Sequence, residues 1–204
     1  MLREGFYNII WKEPIRDDKK IIIHTTTGAH LFKGLETVCH AVSLLNRIGF
    51  DFEWRVAGVN ENNEFVKIIK QKLNGDYPQT GLELLGSLSE GELIKRMMEA
   101  HIYVSPSHQD NSPNALCEAT MLGMPCISTC AGGSSTILKD GKTGILIQDG
   151  DPWVMAGAVL ELARDRNLAG KYASAAREEA IIRHSKQSIK NNLISIYNEV
   201  LRLK

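Results

Sequence analysis

The stretch HIYVSPSHQDNSPNALCEATMLGMPCISTC, residues 101–130, decides how the chain is read. HIYVSP (101–106) is a short run carrying β-branched and aromatic residues, and PCISTC (125–130) is an apolar run too short for a helix. Between them PNALCEATMLG (113–123) places apolar residues at helical spacing and stops at Gly123. Strands that alternate with helices in this way are expected to run parallel in one sheet.

The same alternation extends outward. KIIIHTT (20–26), FEWRVAGV (52–59), GLELLGS (81–87) and, as a short edge strand, GILIQD (144–149) read as strands. Residues 33–49 set Leu35, Val38, Val42, Leu45 and Ile48 on one helical face, and EFVKIIKQKL (64–73) repeats the pattern. SEGELIKRMMEA (89–100) opens with Ser89 and Glu92 at capping-box spacing. From Pro152 onward the pattern is helical. The order predicts an α/β fold: a doubly wound, Rossmann-like parallel sheet covered on both faces, followed by C-terminal helices. The expected division is a lead-in or linker over 1–19, one domain over 20–184, and a closing helix over 185–204 that packs on it. Ligands in such sheets sit beyond the carboxyl ends of the strands. Attention therefore falls on the loops TTGAHLFKG, SHQDNSPN and AGGSST.

Composition narrows the function class. The formal net charge is zero, which argues against a nucleic-acid binder. No apolar run approaches the roughly 18 residues of a membrane helix, and the N-terminus lacks the apolar core of a secretion signal. The cytoplasm is the expected location. Six histidines show no HxxxH or HExxH spacing, so no metal site is expected. Cys39, Cys117, Cys126 and Cys130 form no CxxC pair and read as buried free thiols. Cys126 and Cys130, four apart on one strand, would be roughly 13 Å from each other, too far to share a metal.

Within the opening stretch, Ser112 suits a helix N-cap and Pro113 the first helical position. That helix start offers N–H groups and a partial positive charge to an anion. Glu118 then falls more than a turn inside an apolar helix, with no basic residue three or four positions away. A buried carboxylate without partners costs several kcal/mol, of order 20 in the idealised limit. Two readings follow: Glu118 faces the crevice and accepts from a ligand diol, or a basic residue or water meets it. Lys33 stands at the start of the 33–49 helix, where a cation opposes the dipole unless an anion is also present. TTGAHLFKG lacks the GxxxxGK[ST] of a Walker loop. Gly132 and Gly133 permit close backbone approach to a ligand, and serve a plain turn equally well.

Together these pieces resemble the nucleotide-sugar-binding half of retaining glycosyltransferases of the GT-B fold, family 4 or group 1 type. Asp110 and Glu118 carry the family's spacing of two acids, EATMLGMPCISTCAGG follows, and DGKTGILIQDGDP and FKGLETVCHAV are similar to two further family segments. The likeness runs in order from about residue 20 to 170. It implies one half of a GT-B enzyme that moves a hexose from a UDP- or GDP-sugar to a hydroxyl acceptor, in cell-envelope or exopolysaccharide synthesis. No cofactor or metal is implied. The acceptor, a glycan or lipid-linked glycan, would be held by an N-terminal domain that this chain does not contain, and the full-length enzyme could associate peripherally with a membrane. Position by position, the resemblance gives Lys33 the donor diphosphate, Glu118 the ribose and Asp110 the donor sugar. It puts phosphate or sugar oxygens on backbone groups around Asn111, Ser112, Pro113 and Asn114, and the base near Ser87 and Leu88. Three positions depart from the family: Asp110 replaces a common Glu, Gly28 stands where an Arg usually does, and Thr136 replaces an acid after the double glycine. Those departures keep open a non-catalytic nucleotide-binding or interaction module, and the shared architecture keeps open a sugar-nucleotide epimerase or a phosphorylase.

Overall fold

Apolar residues recur through the strand segments, and both faces of the sheet they form are covered. The computed structural model describes residues 6, 8–12 and 20–202. Six strands, β1 (Ile21–Thr26), β2 (Phe52–Ala57), β3 (Leu82–Gly86), β4 (Ile102–Ser105), β5 (Cys126–Thr129) and β6 (Ile145–Ile147), form one sheet. Their order is β3-β2-β1-β4-β5-β6, and every neighbouring pair is parallel. Ile23 lies opposite Trp54 on one side and Ile102 on the other, so bulky side chains stack across the sheet. The expected short edge strand is β6, at the end of that order.

Successive strand residues point to opposite faces, and each face has its own core. Ile23, Trp54, Ile102 and Ile127 meet α1 (Leu35–Arg47), α2 (Glu64–Leu73) and α6 (Pro152–Arg164). Tyr103 and Cys126 face the other way, against α3 (Glu90–Met98), α4 (Asn114–Leu122) and α7 (Arg166–His184). Burying these side chains is worth about 2 kcal/mol each, the main term holding the layers together. The Ser89–Glu92 capping box opens α3 as its spacing predicts.

Four expectations are corrected. The AGGSST loop contains a short helix, α5 (Ser134–Ile137). The lead-in is more than a linker where it is described: Phe6 is buried, and the Trp11 indole donates to the Ala100 carbonyl at 2.8 Å while its backbone N–H donates to Leu122. Residues 1–5, 7 and 13–19 lie outside the described residues. The closing helix α8 (Lys186–Arg202) touches α7 but buries no residue, leaving Ile189, Leu193 and Tyr197 exposed on one face. Their spacing of four makes a stripe that nothing among the described residues covers. Finally, Cys39, Cys117 and Cys126 are buried as expected, but Cys130, just past the end of β5, is exposed. Burial pushes the Cys39 thiol up to about 12 and raises Cys117 and Cys126 as well, which disfavours the thiolate form at all three. Among the described residues no helix is long and apolar enough to cross a membrane.

Candidate functional site

In a sheet ordered 3-2-1-4-5-6 the winding reverses between β1 and β4, and the loops leaving those two strands diverge to opposite faces. A cavity of about 400 Å³ opens there, at the carboxyl ends of both strands. Its lining includes Thr26, Gly28, Lys33, Ser107, Asp110 and Asn114. Two of the three loops singled out from the sequence, TTGAHLFKG and SHQDNSPN, thus meet at one place.

Lys33 reaches it by a specific local path. Leu31–Lys33 form a single 3-10 turn, and Gly34 follows with φ of 70°. A Cβ on Gly34 would stand 2.0 Å from the Pro106 carbonyl oxygen, so only glycine lets this turn press against the end of β4. The left-handed residue also moves the helix start to Leu35, which corrects the expectation that Lys33 opens the helix. The Phe32 carbonyl accepts from the N–H groups of both His108 and Gln109, at 2.9 and 3.2 Å. These bonds pin the turn to the β4–α4 loop. Across that junction Lys33 Nζ meets Asp110 Oδ2 at 2.6 Å, with both side chains largely covered. Residues 77 apart in sequence are thereby joined, and the lysine's charge is matched by an aspartate of the chain itself.

The second wall is the start of α4. Its N-cap is Pro113 and its first helical residue Asn114, one position later than expected, and no side chain caps it. The loop's course is instead fixed by packing. A Cβ on Gly132 would lie 2.0 Å from the Asp110 oxygen, and one on Gly133 2.3 Å from the Asn111 oxygen. The double glycine serves contact with the 110–112 backbone, an alternative to the ligand contact that sequence left open. The first-turn N–H groups of α4 lack intrahelical acceptors by geometry and point toward the cavity end of the helix. A cation and a helix N-terminus on one cavity suit an anion.

The other expected site residues are placed as follows. Asn111 and Ser112 are exposed on the rim, while Ser112, Pro113 and Asn114 line the cavity. Gly28 lines it too and brings no charge. Glu118 is not among the residues that line the cavity: it is 3 % exposed, one turn beneath Asn114 and Ala115, and is engaged in an interaction of its own. Ser87 is exposed and Leu88 half-buried at the end of β3, and neither lines the cavity. β3 is two strands from β1, about 10 Å across the sheet. Among the described residues no cluster of His, Cys, Asp or Glu is arranged to hold a metal.

Sequence reading missed a contact beside the cavity. The His108 ring lies between Glu36 in the first turn of α1 and Asp149 after β6. No local pattern signals it, because its partners come from distant loops. It also missed the hydroxyls of Thr26, Thr27, Ser105 and Ser107 on the cavity wall, although Ser and Thr at two strand ends facing one crevice were a usable sign.

The fold and the cavity define a class: a Rossmann-like domain with an open cavity at its topological switch point. The chain belongs to a family within that class, the group 1 glycosyl transferases, whose sequence model matches residues 6–179. It is 24% identical over 188 residues to the N-acetyl-alpha-D-glucosaminyl L-malate synthase of Bacillus anthracis, covering 92% of this chain and 48% of that protein. It is 28% identical over 102 residues to the capsular polysaccharide biosynthesis glycosyltransferase CapM of Staphylococcus aureus, covering 50% of this chain and 27% of the relative. Among solved structures, Anabaena Alr3699/HepE in complex with UDP and glucose superposes with a TM-score of 0.75 at 16% identity, over 88% of this chain and 48% of that one. The fold is that of GT-B glycosyltransferases. The chain spans about half the length of the curated relatives it matches first.

Proposed function

We propose that this chain is the donor-binding domain of a retaining glycosyltransferase, taking a UDP- or GDP-sugar whose hexose passes to a hydroxyl of a glycan or lipid-linked glycan. The observation that carries the reading is the convergence of Lys33 and the start of α4, which no side chain caps, on one cavity at the switch point. Family membership and a neighbour whose structure holds UDP support it.

In this reading Lys33 and the first-turn N–H groups of α4 bind the diphosphate. As the bond between the anomeric carbon and the diphosphate oxygen breaks, negative charge grows on the leaving group. Fixed donors aimed at that charge lower the barrier by stabilising it more in the transition state than in the ground state. No step requires a metal or cofactor. Asp110, already beside Lys33, takes hydroxyls of the donor sugar, and Glu118, deeper under the same helix start, takes the ribose. The acceptor and its side of the cleft belong to a further domain, and the full-length enzyme works at a cell-envelope or exopolysaccharide step from the cytoplasmic side.

Calorimetry of the folded chain with UDP, GDP and ADP tests the reading. Saturable binding of one nucleoside diphosphate is the expected result. No heat from any of the three at millimolar concentration would count against it. The absence of a basic side chain at Gly28 favours one other reading, a module that binds nucleotide without turnover. Sugar transfer by the full-length protein separates the two.

A further inference from the structure

His108 belongs to none of the roles above, yet it touches every loop that builds the cavity. Its backbone N–H is one of the two that hold the Phe32 carbonyl. Its ring Nε2 contacts Glu36 Oε1 on α1, and Nδ1 lies 3.4 Å from Asp149 Oδ2 in the loop between β6 and α6. Gly150, with φ of 68°, packs beside the ring. The other oxygen of Glu36 is buried with no hydrogen-bond partner among the described residues. That carboxylate therefore depends on the histidine ring for its pairing, helped by the start of α1.

The ring thus stands between two carboxylates, Glu36 from α1 and Asp149 from the β6–α6 loop; Asp110, on its own loop, is taken by Lys33. Asp151, next in the β6–α6 loop, is occupied in capping α6 through the N–H groups of Trp153 and Val154. We propose that His108 is a positioning residue: it ties α1, the β4–α4 loop and the β6–α6 loop together, and so holds Lys33 in register with Asp110. The inference rests on the reading of Lys33 and Asp110 as donor contacts. It adds that the geometry of that pair is set by a third residue that touches neither of them through its side chain. Loss of the ring contacts leaves the Glu36 carboxylate unpaired and frees the Phe32–Lys33 turn to move.

Two measurements on the intact chain test this separately from the donor reading. In the first, amine acetylation of Lys33 is compared by mass spectrometry with that of exposed Lys142 in the same sample. His108→Gln, which keeps a donor but no charge, should raise the relative labelling of Lys33 about fivefold, the size of one partly covered ion pair. Asp149→Asn, at a half-exposed position that does not threaten folding, should raise it in the same direction by less. In the second, UDP is titrated calorimetrically into the unaltered chain and the variant. His108→Gln should bind it on the order of tenfold more weakly. Unchanged Lys33 labelling in both folded variants overturns the proposal, whatever UDP does. Raised labelling in a chain that binds no UDP upholds the positioning role and removes the donor reading instead. Raised labelling with UDP affinity equal in the variant and the unaltered chain overturns the claim that the placement of Lys33 governs donor binding.

Discussion

The two ends of the sheet each carry a cavity rimmed with charge, and they are built to opposite effect. At the amino ends of β1, β2 and β3 a larger cavity, about 700 Å³, is lined by Lys20, Glu53, Arg55, Glu83 and Arg96 among others. Arg55 there meets Glu53 at 2.5 Å, Glu99 at 2.9 Å and Glu83 at 3.6 Å, and Lys20 meets Glu53 at 3.0 Å. Each of these cations is closed off by acids, and helices end at this side, so their carbonyls add negative potential. The cavity at the carboxyl ends is smaller, but helices begin there. Its lysine has one acid beside it and a helix start without a side-chain cap opposite. Volume favours the first cavity as a site, and the direction of the dipoles decides for the second.

The largest expected effect separates the ends by stability. Arg55→Ala leaves Glu53 and Glu99 facing each other in a partly covered site and should cost about 3 kcal/mol in urea unfolding. Nucleoside diphosphate affinity should stay within about twofold of the starting value. A large loss of affinity would mean that the two cavities are not independent.

Next comes acid sensitivity. Burial holds the His24 imidazole down at about 3, helped by the charges of Arg55 and Arg96. In the unfolded chain the same ring titrates near 6.5, so the unfolded state takes up the proton first. Stability is therefore full above about pH 6.5 and is lost as pH falls toward 3, by about 2 to 3 kcal/mol at pH 4.5. Urea midpoints from pH 7 to 4.5 should show the slope, and His24→Gln should flatten it. A slope unchanged by that variant would assign the acid limb to other groups.

Glu118→Gln tests the layer beneath the carboxyl-end cavity. Binding of UDP should weaken about tenfold, with unfolding stability changed by under about 1 kcal/mol. A stability loss above about 2 kcal/mol with affinity retained would make Glu118 a structural partner and nothing more. Smallest is Asp110→Asn, which removes the acid that neutralises Lys33. UDP without a sugar should bind about fivefold tighter, whereas a UDP-sugar should gain less, because it loses its partner for the sugar hydroxyls. Equal gains for both would break the link between Asp110 and the sugar.

Sequence periodicity carried most of the architecture, because strands buried on both faces are short and apolar and the helices between them are amphipathic. It could not show that Trp11 docks against Ala100, since that contact depends on where the chain enters β4. It placed Lys33 in a helix, because Gly34 reads as part of the helical run until the approach of Pro106 forces a left-handed turn. Of the site, Lys33, Asp110 and Asn114 were legible as motif positions, and their meeting was not. Ser87 and Leu88 came from resemblance alone and stand apart from the cavity. His108 was invisible, since Glu36 and Asp149 reach it only through tertiary packing.

If Lys33 and the start of α4 form an anion site for a nucleoside diphosphate, removing the lysine removes most of the affinity. Calorimetric titration of UDP, GDP and ADP into the chain and into Lys33→Ala should give saturable binding of one of them and a loss of about 100-fold in the variant, the size of a charge-assisted contact to phosphate plus the exposed repulsion of Asp110. Equal affinity in the two proteins would rule the anion site out.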